Sequence, residues 1–129
     1  MSKKQKILCI LSILFALISF ILLFVYVNNS KIAAKLIDEE VSNIDYINNI
    51  PDKEVEPSYN LEDVEEVTIS SFYKYKDDLK NLKGKGTLKI NSINLNLPIF
   101  AGLNNANLLA GVGEQLPNIE AGDVGNYIL

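Results

Sequence analysis

The sequence predicts an N-terminal transmembrane helix and stalk, followed by an incomplete, mainly-β domain. Three observations carry this reading. Ile7–Val27 is an uncharged apolar run long enough for the roughly 20 residues that cross a bilayer. The middle of the chain is acidic and punctuated by Pro51 and Pro57. From Gly86 the apolar residues recur with a period of two, which is the signature of strands.

Composition narrows the function classes. The chain has 129 residues and a formal charge of −4, with no His, no Trp and no Arg. No basic patch is available for nucleic acid, so that class is set aside. Cys9 is the sole cysteine and allows no intramolecular disulfide. It lies inside the apolar run, where an apolar environment disfavours the thiolate, so it reads as a small hydrophobe.

In chain order, residues 1–6 are short and basic (Lys3, Lys4, Lys6) and read as cytoplasmic. Residues 7–27 exceed the apolar core of a cleavable signal peptide, and Phe24–Val27 offers no small-x-small site, so an uncleaved signal anchor is expected. Positive charge before the anchor and acidic sequence after it orient the remainder outside the cell. Residues 28–83 read as an extracellular acidic stalk with helical segments. Ile32, Leu36, Val41, Ile44 and Ile47 suggest a helix over 28–49, capped by Asn28 or Ser30. Asn28-Asn29-Ser30 matches a glycosylation sequon, but lies against the membrane. The carboxylates between Asp38 and Glu66, with Lys53 as the one base among them, read as a self-repelling solvated run. A second helix is expected over Ser71–Lys83, basic at its end (Lys74, Lys76, Lys80, Lys83, Lys85) and stopped by Gly84 and Gly86.

Residues 84–129 are the domain-like part. Leu88 and Ile90 share one phase. Ile93, Leu95, Leu97 and Ile99 continue on another, so a turn or bulge is expected at Asn91-Ser92. Pro98 points to an edge position or a strand exit. Asn104–Ala110 reads as an Asn-capped short helix ended by Gly111, and Asn126–Leu129 as the opening of a further strand. About 45 residues is near the lower limit for a self-supporting core without disulfides or metal.

These residues resemble a known family. Gly86–Ile99 with its Leu97-Pro98-Ile99 block, Phe100-Ala101-Gly102-Leu103, Asn107–Gly113, and Gly122 through Gly125-Asn126-Tyr127-Ile128-Leu129 are together similar to the N-terminal part of a sortase, class A best and class D next. The anchor and stalk fit that family in kind. Asn91 stands where the family has Pro, and Glu114 where class A members often have Thr.

The resemblance implies an eight-stranded barrel, of which two to three strands and a short helix are represented. It also implies a cysteine transpeptidase. In that family a thiol attacks the Thr-Gly bond of an LPxTG-type signal, a His moves protons, and an Arg stabilises the oxyanion. The implied partners are LPxTG-type surface proteins, a cell-wall precursor or pilin acceptor, and membrane lipid. The expected Ala-Gly-His segment would follow Leu129, so the expectation is a fragment without catalytic residues. No catalytic, cofactor-binding or metal residue is assigned. The one cofactor the resemblance allows is calcium, through Glu114, Glu120 and Asp123. The alternative is a non-catalytic single-pass membrane protein with an extracellular β-module for protein interaction.

Overall fold

The computed structural model describes residues 2–129. Helix α1 (Lys3–Val27) begins at a Ser2–Gln5 capping box and has no buried residue. It is the one helix among the described residues long and apolar enough to cross a membrane. It starts one turn before the expected span, because Lys3, Lys4 and Lys6 are good helix formers.

Asn28 joins α1 to α2 (Asn29–Val41) with hardly a break. Its side chain does not cap α2; it donates back to the Phe24 carbonyl at 2.9 Å. Helix α2 also stops well short of Asn49. Ser42 and Asn43 bond the Glu39 carbonyl at 3.2 and 2.7 Å, and the Asp45 carboxylate accepts from the amides of Ile47 and Asn48. Such local side-chain bonds compete with helix continuation. The resulting turn swings Tyr46 into the core, edge-to-face on Phe100 with centroids 5.2 Å apart.

Helix α3 spans Ile69–Lys80, earlier than the expected Ser71–Lys83. Thr68 and Ser71 form its capping box, with the Ser71 amide donating to the Thr68 hydroxyl at 3.0 Å. Its end precedes Gly84 because the chain turns to meet the 46–49 segment. The Asn49 side-chain amide donates to the carbonyls of Lys80 and Leu82 at 2.9 and 2.7 Å, and the Gly84 backbone amide to the Tyr46 carbonyl at 2.8 Å.

Strands β1 (Gly86–Ile90) and β2 (Leu95–Phe100) pair antiparallel, Gly86 opposite Ile99 and Ile90 opposite Leu95. The phase slip is a 3-10 turn over Asn91–Ile93, followed by Asn94 in the left-handed region (φ 53°), which Asn tolerates. Ile93 therefore lies in the turn and is exposed, not in the second strand. Helix α4 (Asn105–Ala110) leads to the two-residue strand β3 (Val112–Gly113), parallel to β2.

The order β1-β2-β3 places Pro98 in the middle strand, not at an edge. Backbone alternation explains this. The Ile99 carbonyl faces β1 and accepts from the Lys85 amide at 2.7 Å; the Phe100 carbonyl faces β3 and accepts from the Glu114 amide at 2.9 Å. Pro98 thus turns its missing N–H away from β1, and β3 pairs only from Ile99 onward, so no ladder bond is lost. Asn126–Leu129 is not a strand. Its backbone tie to the body is the Gln115 amide donating to the Ile128 carbonyl at 3.0 Å.

The core joins Ile37, Tyr46, Phe72, Leu79, Leu82, Phe100, Ala106 and Ala110. It draws on residues from both sides of Gly84, so the division between stalk and domain expected there is not a division in packing. Of the positions that carried the helical periodicity, Leu36, Val41 and Ile44 pack half-buried against this core and Ile47 stays exposed, while the buried residues of α2 are Ala33 and Ile37. The expected linker is likewise a strap on the body. The Leu103 amide donates to the Ser58 carbonyl at 2.6 Å, the Ser58 amide to the Asn104 side chain at 2.7 Å, and that side chain to the Glu56 carbonyl at 2.6 Å. Asn104 thus ties down the strap and makes no side-chain cap on α4. Gly102 permits this approach: its φ is +82°, and a Cβ there would lie 2.7 Å from the Ser58 carbonyl. The acidic run is partly paired, since Lys76 and Lys80 reach Glu40 at 3.4 and 3.5 Å and Lys74 pairs with Glu65.

Two substitutions should separate packing from polarity in this core. Phe100→Ala should cost about 3–5 kcal/mol by opening a cavity. The Tyr46 hydroxyl has no hydrogen-bond partner among the described residues, so Tyr46→Phe should be neutral or slightly stabilising. Denaturant midpoints of the full chain in detergent micelles check both, and a large loss for Tyr46→Phe would contradict the packing described.

Candidate functional site

The C-terminal end of β2 gathers the most unusual polar cluster of the fold. Lys85 is pinned to the Ile99 carbonyl from the β1 side and Glu114 to the Phe100 carbonyl from the β3 side. Two residues far apart in sequence therefore flank the end of one strand. Glu114 is only 3% exposed, yet both its oxygens are satisfied. Lys85 Nζ donates to Oε1 and Oε2 at 3.0 and 2.9 Å, and the Tyr127 hydroxyl donates to Oε1 at 2.8 Å. The exposed Glu120 meets the same ammonium at 3.4 Å.

Burying a carboxylate costs several kcal/mol unless it is paired and hydrogen-bonded, and Glu114 has both. Its neighbours are tuned accordingly. The bond to Glu114 holds the Lys85 ammonium above its ordinary lysine range. Burial, with the bond to Glu114 adding to it, pushes the Tyr127 phenol up to about 12. Lys85 is thus a charged donor and not an amine nucleophile. The cluster is built to hold segments together; it offers no group poised to attack a substrate.

The three carboxylates singled out in the sequence are only partly brought together. Glu114 and Glu120 share Lys85. Asp123 instead closes its own turn, its carboxylate accepting from the Glu120 amide at 2.8 Å. Calcium takes six to eight oxygen ligands. Here an ammonium already stands between the two acids that meet, and the third is turned to its own backbone, so these residues do not fit that ion. No group of three or more metal-ligating side chains occurs among the described residues.

Sequence reasoning missed Lys85 and Tyr127 as the partners of Glu114. Lys85 read as the end of a basic helix and Tyr127 as part of a strand. Their one signal was an acid directly after the Gly111-Val112-Gly113 segment, where burial would oblige a partner. Cys9 is on α1, remote in sequence from this cluster and exposed along the helix. A cavity of about 320 Å³ lies between the strap and the end of β2. Its buried lining residue Asn107 is satisfied by the carbonyls of Ala101 and Gly102, so the cavity presents no spare buried donor.

No family model and no solved structure matches this chain. One curated protein does: "Sortase A" of Streptococcus agalactiae serotype III (strain NEM316), 28% identical over 103 residues, which cover 80% of this chain and 42% of that protein. Over most of its own length the chain is thus similar to a sortase A. It spans less than half the length of that sortase relative. The small three-stranded sheet with its short helix is consistent with part of a sortase-like fold.

The raised phenols of this chain should give it an alkaline stability limit. Burial holds the Tyr46 phenol at about 12, and Tyr127 stands equally high, against an ordinary value of 10. Fold-raised pKa values mean that the protonated forms are favoured in the native state. Their contribution is complete below about pH 10 and is lost as pH rises through about 12. The thermal midpoint, read by near-ultraviolet circular dichroism, should stay level near neutrality and fall above about pH 10, less steeply for Tyr127→Phe. A midpoint unchanged to about pH 12 would count against the buried phenols.

Proposed function

We propose that these residues form the membrane-anchored N-terminal part of a sortase-type cysteine transpeptidase. The observation that carries the reading is the match to a sortase A across most of this chain, joined to an N-terminal helix suited to a single span. Lys3, Lys4 and Lys6 keep the N-terminus in the cytoplasm, and the folded body lies outside. The substrates are surface proteins with LPxTG-type signals, joined to a cell-wall precursor or to pilins.

Within that enzyme this segment supplies anchorage and scaffold. Thiol attack on a peptide carbonyl needs a base or cationic partner and stabilisation of the oxyanion. The 129 residues contain no imidazole and no guanidinium, and Cys9 belongs to the anchor helix. Those groups come from residues outside the 129. What this segment contributes is the sheet end at Ile99–Phe100, the packed helices beneath it, and the tie through Glu114 to Tyr127.

Cell fractionation tests the reading. An antibody raised to residues 60–129 should detect the protein in the membrane fraction, accessible to protease on intact cells, at a mass well above the 14.4 kDa of this chain. The 129-residue chain alone should not cleave a fluorogenic LPxTG peptide. A 14.4 kDa species without any larger form would overturn the reading in favour of a non-catalytic single-pass membrane protein.

A further inference from the structure

We propose that Lys85 is a built-in counter-cation that closes the 114–128 loop, so that closure depends on the charge at position 85 and not on a divalent metal ion. The inference stands on geometry alone and does not depend on the transpeptidase reading.

Three points of the loop converge around one ammonium. Glu114 at its start takes two bonds from Lys85 Nζ, at 3.0 and 2.9 Å. Glu120 in its middle approaches the same atom at 3.4 Å. Tyr127 at its far end reaches Glu114 at 2.8 Å, and the Gln115 amide closes the base on the Ile128 carbonyl at 3.0 Å. Between these points the loop has no helix or strand, and Glu120 and Asp123 bond each other within a local turn.

Lys85 differs from the loop in being fixed. Its backbone amide is bonded to Ile99 at the end of the sheet, so the ammonium is delivered from the ordered body. A divalent ion would have to displace it and would find two carboxylates, with Asp123 engaged elsewhere. Removing the ammonium leaves the buried Glu114 charge with the Tyr127 hydroxyl as its remaining partner and a second carboxylate nearby, an unfavourable state relieved by opening the loop.

Hydrogen exchange on the full chain in detergent micelles decides the matter, read in peptides covering 115–128 with α3 peptides as the internal reference. The native chain should exchange equally in EDTA and in millimolar calcium. Lys85→Met should speed loop exchange by about tenfold or more while α3 stays protected. Lys85→Arg, measured in EDTA, should keep the loop within about threefold of native. Loop protection in the native chain that rises with calcium overturns the proposal, as does native-like exchange in Lys85→Met. Should Lys85→Met unfold the whole chain, Lys85→Arg decides: retained protection supports the counter-cation, and loss of protection overturns it.

Discussion

Burial of Phe100 at the end of β2 is the constraint from which the rest of the body follows. Its ring, 1% exposed, meets Tyr46 from the turn after α2 and shares one core with side chains of α3 and α4. Its carbonyl, facing the opposite way to that of Ile99, receives Glu114 while Ile99 receives Lys85. One residue pair thus sets both the apolar centre and the polar cluster. Side-chain packing holds the helices, and alternation of the two carbonyls brings the base from one sheet edge and the acid from the other.

The balance in the polar cluster is decided by burial. An exposed Lys–Glu pair is worth at most about 1 kcal/mol, which is the standing of Lys76 and Lys80 with Glu40. Glu114 is different because it has lost its water. Its pairing contributes less by attraction than by avoiding the penalty of an unpaired buried charge. The neighbouring Tyr127 serves the same purpose from a segment with no regular structure of its own.

Much of the local structure was legible in the sequence. The uncharged run of α1 and the period-two pattern of β1 and β2 announce themselves, because each depends on near neighbours. Even the phase slip at Asn91-Ser92 is visible, although its form, a 3-10 turn ending on left-handed Asn94, is not. What was not legible is long-range. Ile37 and Tyr46 fall in the segment read as stalk and outside the apolar set that carried its helical periodicity, because near-neighbour spacing does not show which face a distant element will cover. Pro98 read as an edge residue, because its tolerance in the middle strand depends on where β3 starts. Asn104 read as a helix cap, but its side chain bonds a strap almost fifty residues earlier in the chain. Lys85 and Glu114 are separated by all three strands and α4, and no spacing rule couples them.

The junction at Asn28 has a consequence for how this protein meets other molecules. Ala33 and Ile37 of α2 are already buried in the body, and only a few residues separate them from the end of α1. At 1.5 Å of rise per helical residue, that gap is on the order of 10 Å. With α1 in a bilayer, the body rides close against the headgroups, not at the end of a long tether. Its search for partners is then nearly two-dimensional. Molecules confined to the same membrane surface encounter it readily, while those free in the surrounding medium must first come down to that surface.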